Sequence, residues 1–260
     1  MSLKGKTALI TGSTSGIGFG IAQNFADQGV NIVMNGFGDS NEIETKRKEL
    51  EGKGVTAIYH GADMTKPEEI RDMVATAEKE FGNVDILVNN AGIQYVSPIE
   101  EFPEEKWDAI IGIVLSSAFH TTKAVLGRMR EAGWGRIINM CSAHGLVASP
   151  YKTAYVSAKH GILGFTKTMG LEVAQDNITC NAICPGYVFT PLVENQIADT
   201  AKARGISEED VINNVLLAAQ WTKKFVTIEQ VAGIALFLCS DTAENITGTD
   251  IVVDGGWTAA

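Results

Sequence analysis

Basic residues are scarce. The 260-residue chain carries 21 Lys and Arg against 31 Asp and Glu, a formal net charge of −10. That balance argues against nucleic acid or an anionic membrane surface as a partner. A few locally placed cations could still draw in a small anion. No apolar run approaches the roughly 18–20 residues that cross a bilayer, and the first ten residues hold no long apolar stretch of the secretory type. Cysteine is sparse too: Cys141, Cys180, Cys184 and Cys239 are too few and too scattered for a disulfide framework. Cys180 and Cys184 share one face of a predicted strand and have no two further ligands nearby, so they read as small core hydrophobes rather than a metal pair. Pro- or Ser-rich linkers and internal repeats are absent. With 45% hydrophobic and 20% charged residues, the composition is that of a globular, cytoplasmic protein able to bury a sizeable core.

Short β-branched runs alternate with longer helical patterns. Strands are predicted at Thr7–Ile10, Asn31–Asn35, Val55–His60, Val84–Val88, Arg136–Met140, Ile178–Cys184 and Asp250–Val253. Helical patterns run over Ile17–Gln28, Glu42–Leu50, from Thr65 to about Phe81, over about Glu104–Arg130 and Tyr155–Ala174, and over Ile228–Leu238. The third helix is expected to open on a capping box, Thr65-Lys66-Pro67-Glu68, with proline near the first helical position. Strands separated by helices mean βαβ units, hence an α/β fold with a doubly wound parallel sheet of about seven strands and helices on both faces. The one irregular stretch, about Gly186–Thr227, follows a strand's carboxyl end and is expected to form a lid rather than a surface insertion.

The first strand ends in Thr11-Gly12-Ser13-Thr14-Ser15-Gly16-Ile17-Gly18. Glycines at 12, 16 and 18 let the backbone turn tightly and approach a pyrophosphate at a helix N-terminus. Alone, the spacing G-x-x-x-G-x-G could be a plain strand-to-helix turn; its place in the first βαβ unit favours a nucleotide. Dinucleotide folds read the adenosine ribose after the second strand. Asn35-Gly36-Phe37-Gly38 offers no cation there, and neither does Ser15. A 2′-phosphate would be poorly compensated, so NAD is favoured over NADP, with Lys46 and Arg47 left open as alternative cations. Asp63 would accept from the adenine amino group, or else stabilise a helix N-terminus. Asn89-Asn90-Ala91-Gly92 supplies a second turn on the same crevice or an ordinary Asn-Gly-rich turn.

The sharpest constellation is Ser142 with Tyr155-Val156-Ser157-Ala158-Lys159. Tyr and Lys at i and i+4 share a helix face. A phenol, with an ordinary pKa of about 10, becomes a base only when a nearby cation stabilises its phenolate. Y-x-x-x-K alone is usually a surface pair; here it follows the glycine loop and the NNAG turn.

Together, Thr11–Gly18, Asp63, Asn89–Gly92, Ser142, Tyr155, Lys159 and Pro185-Gly186 resemble the short-chain dehydrogenase/reductase family along the whole chain. The resemblance implies a single Rossmann-type, dinucleotide-binding catalytic domain over residues 1–260 and a homotetramer. It implies NAD held by Gly12, Thr14, Ser15, Gly16, Ile17, Gly18, Phe37, Asp63, Met64, Asn90, Ala91, Gly92, Tyr155, Lys159, Pro185, Gly186, Val188 and Thr190. It makes Tyr155 the general acid/base, Ser142 the group that orients the substrate oxygen, and Lys159 the holder of the nicotinamide ribose that also lowers the Tyr155 pKa. One position departs. In Ile110–Ser116 the family usually has Asn where Val114 stands, and valine cannot hold the water that relays protons to the lysine. Either another group holds that water or proton exchange is slower.

Within the family, the closer resemblance is to members that oxidise short 3-hydroxy acids. It rests on Asn35–Gly38, Gly92-Ile93-Gln94, Ile99–Pro103, Ser142–Ser149, Thr190–Val193, Gln196-Ile197 and Asp254–Ala259. It implies a substrate carboxylate held by Lys152, His144, Gln94 and Gln196, next to a hydroxyl at Ser142 and Tyr155. Charge-assisted bonds there would fix which face of C3 meets the nicotinamide. Tyr187 stands where those members often carry Trp, keeping an aromatic wall but changing the pocket volume. Trp257 would close the site, from this or a neighbouring subunit, or else pack the C-terminus. The expected activity is reversible NAD-dependent oxidation of (R)-3-hydroxybutyrate to acetoacetate, with no metal. A longer 3-hydroxy acid, a polyol or a sugar is the alternative substrate, and a non-catalytic nucleotide-binding regulator has only Val114 in its favour.

Overall fold

The computed structural model describes residues 2–190, 193–194, 197–198, 201–202 and 205–260. Its strands are β1 (Thr7–Ile10), β2 (Asn31–Asn35), β3 (Ala57–His60), β4 (Ile86–Asn89), β5 (Gly135–Met140), β6 (Ile178–Pro185) and β7 (Asp250–Val253). They form one seven-stranded sheet in the order β3-β2-β1-β4-β5-β6-β7, every pair parallel. Strands β1, β4, β5 and β6 are buried along their whole length. That is why they show no alternation of apolar with exposed polar residues: both faces are covered. On one face, α1 (Gly16–Asp27), α2 (Ser40–Glu51) and α7 (Ile228–Leu238) contribute Ile21, Phe25, Leu50 and Val231 to a core with Ala8, Ile10 and Ile183. On the other, α3 (Pro67–Phe81), α5 (Ser117–Ala132) and α6 (Thr153–Glu172) pack Met73, Val125 and Met169 on Leu9, Leu87 and Cys180. The strand order reverses direction between β1 and β4, so a crevice opens at their carboxyl ends.

Polar side chains staple this interior together. Asn35, fully buried, donates through Nδ2 to the carbonyls of His60 (3.1 Å) and Ala62 (3.0 Å), tying the end of β2 to the turn after β3. Asn89 Nδ2 donates to Asn139 Oδ1 (2.9 Å), and Asn139 Nδ2 donates to Thr166 Oγ1 (2.8 Å). Thr121 Oγ1 donates to Asn89 Oδ1 (2.6 Å). These bonds clamp α5 and α6 to β4 and β5 just below the crevice, where an unpaired polar group would cost about 1–3 kcal/mol.

Three local expectations need correction. The capping box before α3 does not form: Thr65 donates its hydroxyl to Asp63 (2.8 Å), and the helix begins at Pro67 behind Lys66, which makes no side-chain cap. The helical pattern from residue 104 is interrupted. After α4 (Glu104–Ile111) comes a π-helical turn, Gly112–Ser116, before α5. The whole stretch Glu104–Ala132 is also long and apolar enough to cross a membrane by length and composition, with a mean hydropathy of 1.5 over its best window, contrary to the sequence expectation. In this fold it lies against α3, α6, β4 and β5.

After β6 the chain makes its excursion. Val188 and Val226 pair in parallel, and the Val226 N–H donates to the Tyr187 carbonyl (2.9 Å), so its two ends meet. Ile197, Val211 and Leu216 form a small separate core there with Val193, Ile212 and Phe225.

Candidate active site

Two adjoining cavities occupy the crevice and share Ile17, Asn90, Gly92, Ile93 and Thr190 in their walls. The first, about 360 Å³, is lined by Gly12, Thr14, Ser15, Gly16, Gly36, Phe37, Asp63, Met64 and Ala91. Gly12 and Gly16 adopt φ of +63° and +54°, the left-handed region where a side chain is strained. A Cβ at Gly18 would stand 2.6 Å from Asn90 Nδ2, so the loop lies flat on the β4 turn. That turn holds the loop in place. Asn90 Nδ2 donates to the carbonyls of Thr11 (2.9 Å) and Gly12 (3.0 Å), and Thr11 Oγ1 accepts from the N–H groups of Asn90 and Ala91 (both 3.0 Å). Helix α1 begins here with no side-chain cap and no acidic residue in its first turn. An uncapped helix N-terminus facing a glycine-lined cleft is the arrangement that takes a pyrophosphate, so these residues fit a nicotinamide dinucleotide.

At the adenosine end, Phe37 stands exposed on the rim. Asp63 Oδ1 accepts from the Thr65 N–H (2.9 Å) and hydroxyl, which hold its carboxyl below the usual range. Asp63 therefore both shapes the turn before α3 and borders the cleft. Lys46 donates to the Thr14 carbonyl (2.7 Å), and Arg47 is paired with Glu44 (2.7 Å) and Glu51 (2.6 Å). Neither lines the cleft, and among the described residues no Lys, Arg or His does.

The second cavity, about 230 Å³, brings the catalytic candidates together. Ser142 follows β5 and its Oγ accepts the His144 N–H (3.2 Å). Tyr155 and Lys159 lie one turn apart on α6, with the Lys159 Nζ 5.5 Å from the Tyr155 ring centre. Lys159 is buried and donates to the Met140 carbonyl (2.6 Å). Val114 is buried in the π-helical turn, its Cγ2 3.7 Å from where a Gly92 Cβ would lie, and it presents no polar atom.

Around this trio stands an aromatic and cationic wall. The Trp257 ring stacks on Tyr187 (centres 5.5 Å apart, 7° between planes) and meets His144 edge-on at 4.9 Å. His144 meets Tyr155 edge-on at 6.0 Å, and the Lys152 Nζ lies 5.7 Å above the Tyr187 ring. Trp257 of the same chain thus borders the pocket. Gln94 lines it too, whereas Gln196 lies outside the described residues. Lys152 follows Tyr151, whose φ of 68° is a strained conformation for a bulky residue. Burial lowers the Lys152 pKa, and among the described residues Lys152 has no acidic partner. Among the described residues no Asp or Glu lines this cavity. Burial, reinforced by the charge of Lys152, holds His144 down to about 4, and its Nε2 pairs with Ser149 Oγ at 2.9 Å.

Pro185, Gly186, Val188 and Thr190 all line the second cavity. Gln220 was not foreseen. Fully buried, it accepts from the Tyr187 N–H (2.5 Å) and donates to the Lys224 carbonyl (2.6 Å), fixing the aromatic wall from 33 residues away. Nothing in its surroundings marks it in the sequence. Cys141 also borders the pocket and carried no functional signal there.

His144 makes folding stability pH-dependent. Its pKa falls from 6.5 to about 4 on folding, so the unfolded chain binds the extra proton between those values and stability declines as pH drops through that window. The contribution is complete above about pH 6.5 and amounts to about 3 kcal/mol. Urea unfolding at pH 7.5 and 4.5 is expected to show a smaller pH difference by about 2–3 kcal/mol in His144→Gln. The same pH difference in both proteins contradicts it.

The profile of the short chain dehydrogenase family matches residues 6–201. The chain is 60% identical to a D-beta-hydroxybutyrate dehydrogenase of Rhizobium meliloti (strain 1021), covering 98% of this chain and 99% of that one. It is 53% identical to a protein of the same name from Cupriavidus necator, over 99% of both. Its fold superposes on a crystal structure of actinorhodin polyketide ketoreductase with NADPH at a TM-score of 0.92, with 34% identity over 98% of each chain. With the parallel sheet, the glycine cleft and the Ser-Tyr-Lys pocket, these likenesses make the chain an oxidoreductase that uses a nicotinamide cofactor and belongs to the short-chain dehydrogenase family.

Proposed function

We propose that the protein catalyses the reversible, NAD-dependent oxidation of (R)-3-hydroxybutyrate to acetoacetate. The observation that carries this reading is the Lys152 ammonium, half-buried beside Tyr155 and Ser142 in a cavity with no carboxylate among its described lining residues. A desolvated cation is costly unless paired, and an anionic substrate completes it. Two relatives of 60% and 53% identity bear the corresponding activity in their names, which supports the same substrate here.

In this mechanism Lys152, with neutral His144 and Gln94, holds the carboxylate. Gln196 is proposed as a further partner. Ser142 donates to the hydroxyl oxygen at C3, and the Tyr155 phenolate takes its proton. The Lys159 ammonium is fixed by the Met140 carbonyl, with its Nζ 5.5 Å from the centre of the Tyr155 ring. The nicotinamide, when bound, accepts the C3 hydride. Tyr187 and Trp257 exclude water from the reacting carbon. The absence of a basic side chain among the described residues of the adenosine cleft, with Asp63 at its edge, supports NAD over NADP. The excursion over residues 186–227 is proposed as the lid of a single catalytic domain, since Tyr187, Val188, Thr190 and Val193 line the pocket from it.

A homotetramer is proposed on two separate exposed apolar faces, Phe119 with Leu171 on α5 and α6, and Phe237 with Val252 near the last strand. Four buried cysteines, all free, support a cytoplasmic location.

Tyr155→Phe is expected to lower kcat at least a thousandfold while NADH fluorescence titration shows near-normal binding; a fully active variant removes the assigned base. Lys152→Ala is expected to raise KM for the hydroxy acid at least tenfold more than for a neutral secondary alcohol. Equal effects on both substrates would take the carboxylate away from Lys152.

A further inference from the structure

Cys141 and Cys184 occupy opposite positions at the ends of two neighbouring parallel strands. Met140 of β5 is in register with Ile183 of β6, and the Cys141 N–H donates to the Ile183 carbonyl (2.8 Å). The next residue on each chain is therefore a cysteine, and in-register side chains leave the sheet on the same face. Neighbouring strands lie about 4.8 Å apart, inside the roughly 4.4–6.8 Å of Cα separation that a disulfide spans. Both side chains belong to one core cluster beneath α6, with Ala158, Ile162 and Leu163. The two thiols lie close enough to shift each other's ionisation, and Cys141 Sγ donates to the Lys159 carbonyl (3.3 Å). Gly145 makes room for this sulfur, since a side chain there would collide with it. Cys141 is buried, but it forms part of the wall of the catalytic cavity, the side from which a small solute would approach it.

We infer that Cys141 and Cys184 are a peroxide-oxidised dithiol site, whose closure to a disulfide switches the enzyme off. The Cys141 thiolate attacks one oxygen of a hydroperoxide, and the O–O bond breaks. This leaves a sulfenic acid, and the released oxide takes a proton to become an alcohol or water. The Cys184 sulfur then attacks the Cys141 sulfur, the S–O bond breaks, and the Cys184 proton leaves with the hydroxide as water. The two thiols are oxidised by two electrons and the peroxide is reduced by two.

The surroundings favour Cys141 as the attacking sulfur. The neighbouring Cys184 thiol, then the charge of Lys159 and the Ser142 N–H, lower its pKa against the opposing effect of burial, while Cys184 is raised by its proximity to Cys141 and by burial. Cys180 and Cys239 are pushed up to about 12 by burial and serve as internal controls. The bridge pulls Sγ away from the Lys159 carbonyl. Residue 141 sits between Met140, whose carbonyl anchors the Lys159 ammonium, and Ser142, so the bridge displaces both groups from the reacting hydroxyl.

The test treats the reduced full chain with hydrogen peroxide, alkylates the remaining thiols and maps the peptides by mass spectrometry. The expected result is a Cys141–Cys184 crosslink, alkylated Cys180 and Cys239, and turnover that falls at least tenfold in step with the crosslink and returns with dithiothreitol. Cys184→Ala is expected to form no crosslink and to accumulate a dimedone-reactive sulfenic acid at Cys141. Cys141→Ala is expected to keep its turnover under peroxide, and it decides the matter if the other variant fails to fold. Alkylatable Cys141 and Cys184 in inactivated protein overturn the inference, as does a crosslinked protein of undiminished turnover. The activity arm rests on the dehydrogenase reading; the crosslink does not. A chain that crosslinks but oxidises no 3-hydroxybutyrate before treatment therefore counts against the substrate assignment and in favour of the dithiol site.

Discussion

Burying the Lys159 ammonium beneath the pocket is the constraint on which the rest of the site depends. An ammonium taken out of water must find fixed dipoles, and the Met140 carbonyl at 2.6 Å provides one. That bond joins the middle of α6 to the last residue of β5 and sets where Tyr155, one turn earlier, can stand. The same strand end leads directly into Ser142. The Asn89–Asn139–Thr166 chain of hydrogen bonds holds helix and sheet together one layer below. The geometry of the catalytic trio thus follows from how α6 is docked, and a disturbance at Cys141, between Met140 and Ser142, reaches both the hydroxyl and the ammonium.

A second constraint acts at the far side of the same pocket. Lys152 and His144 face it together, and among the described residues no acid lines the cavity. The two groups answer the conflict differently: His144 stays neutral, pushed to about 4, while Lys152 loses part of its preference for the proton. A protein of net charge −10 has acids to spare, so their absence here shapes what can bind. One cation and one neutral imidazole beside the Tyr155 hydroxyl suit a small molecule with a carboxylate close to its alcohol. Stacked Tyr187 and Trp257 limit the length of what lies between them.

Legibility in the sequence followed separation along the chain. The glycine loop, the NNAG turn and the Tyr155–Lys159 pair are short-range patterns whose residue types carry their own chemistry, and continuous apolar runs marked the buried parallel strands. Contacts closed by the fold were hidden. Gln220 reaches Tyr187 across 33 residues, and Cys141 meets Cys184 only because β5 and β6 are neighbours in register. Thr65 has the spacing of a capping box, but Asp63 takes its hydroxyl. The π-helical turn at Gly112–Ser116 keeps its apolar residues at nearly helical intervals, so the pattern ran through it unbroken. Lys46 and Arg47 were open as phosphate ligands until α2 was seen to turn them to the Thr14 carbonyl and to glutamates.

The most direct measurement follows NADH absorbance with the purified protein, supplied in turn with NAD or NADP and with (R)- or (S)-3-hydroxybutyrate. Rapid NADH formation from the R acid with NAD, and at least a hundredfold slower reaction with the S acid or with NADP, is the predicted result. Equal turnover of both hands, or a preference for NADP, would contradict a site in which Lys152 fixes the carboxylate and the adenosine cleft lacks a cation. Failure to oxidise either hand while NADH still binds would contradict the substrate assignment itself.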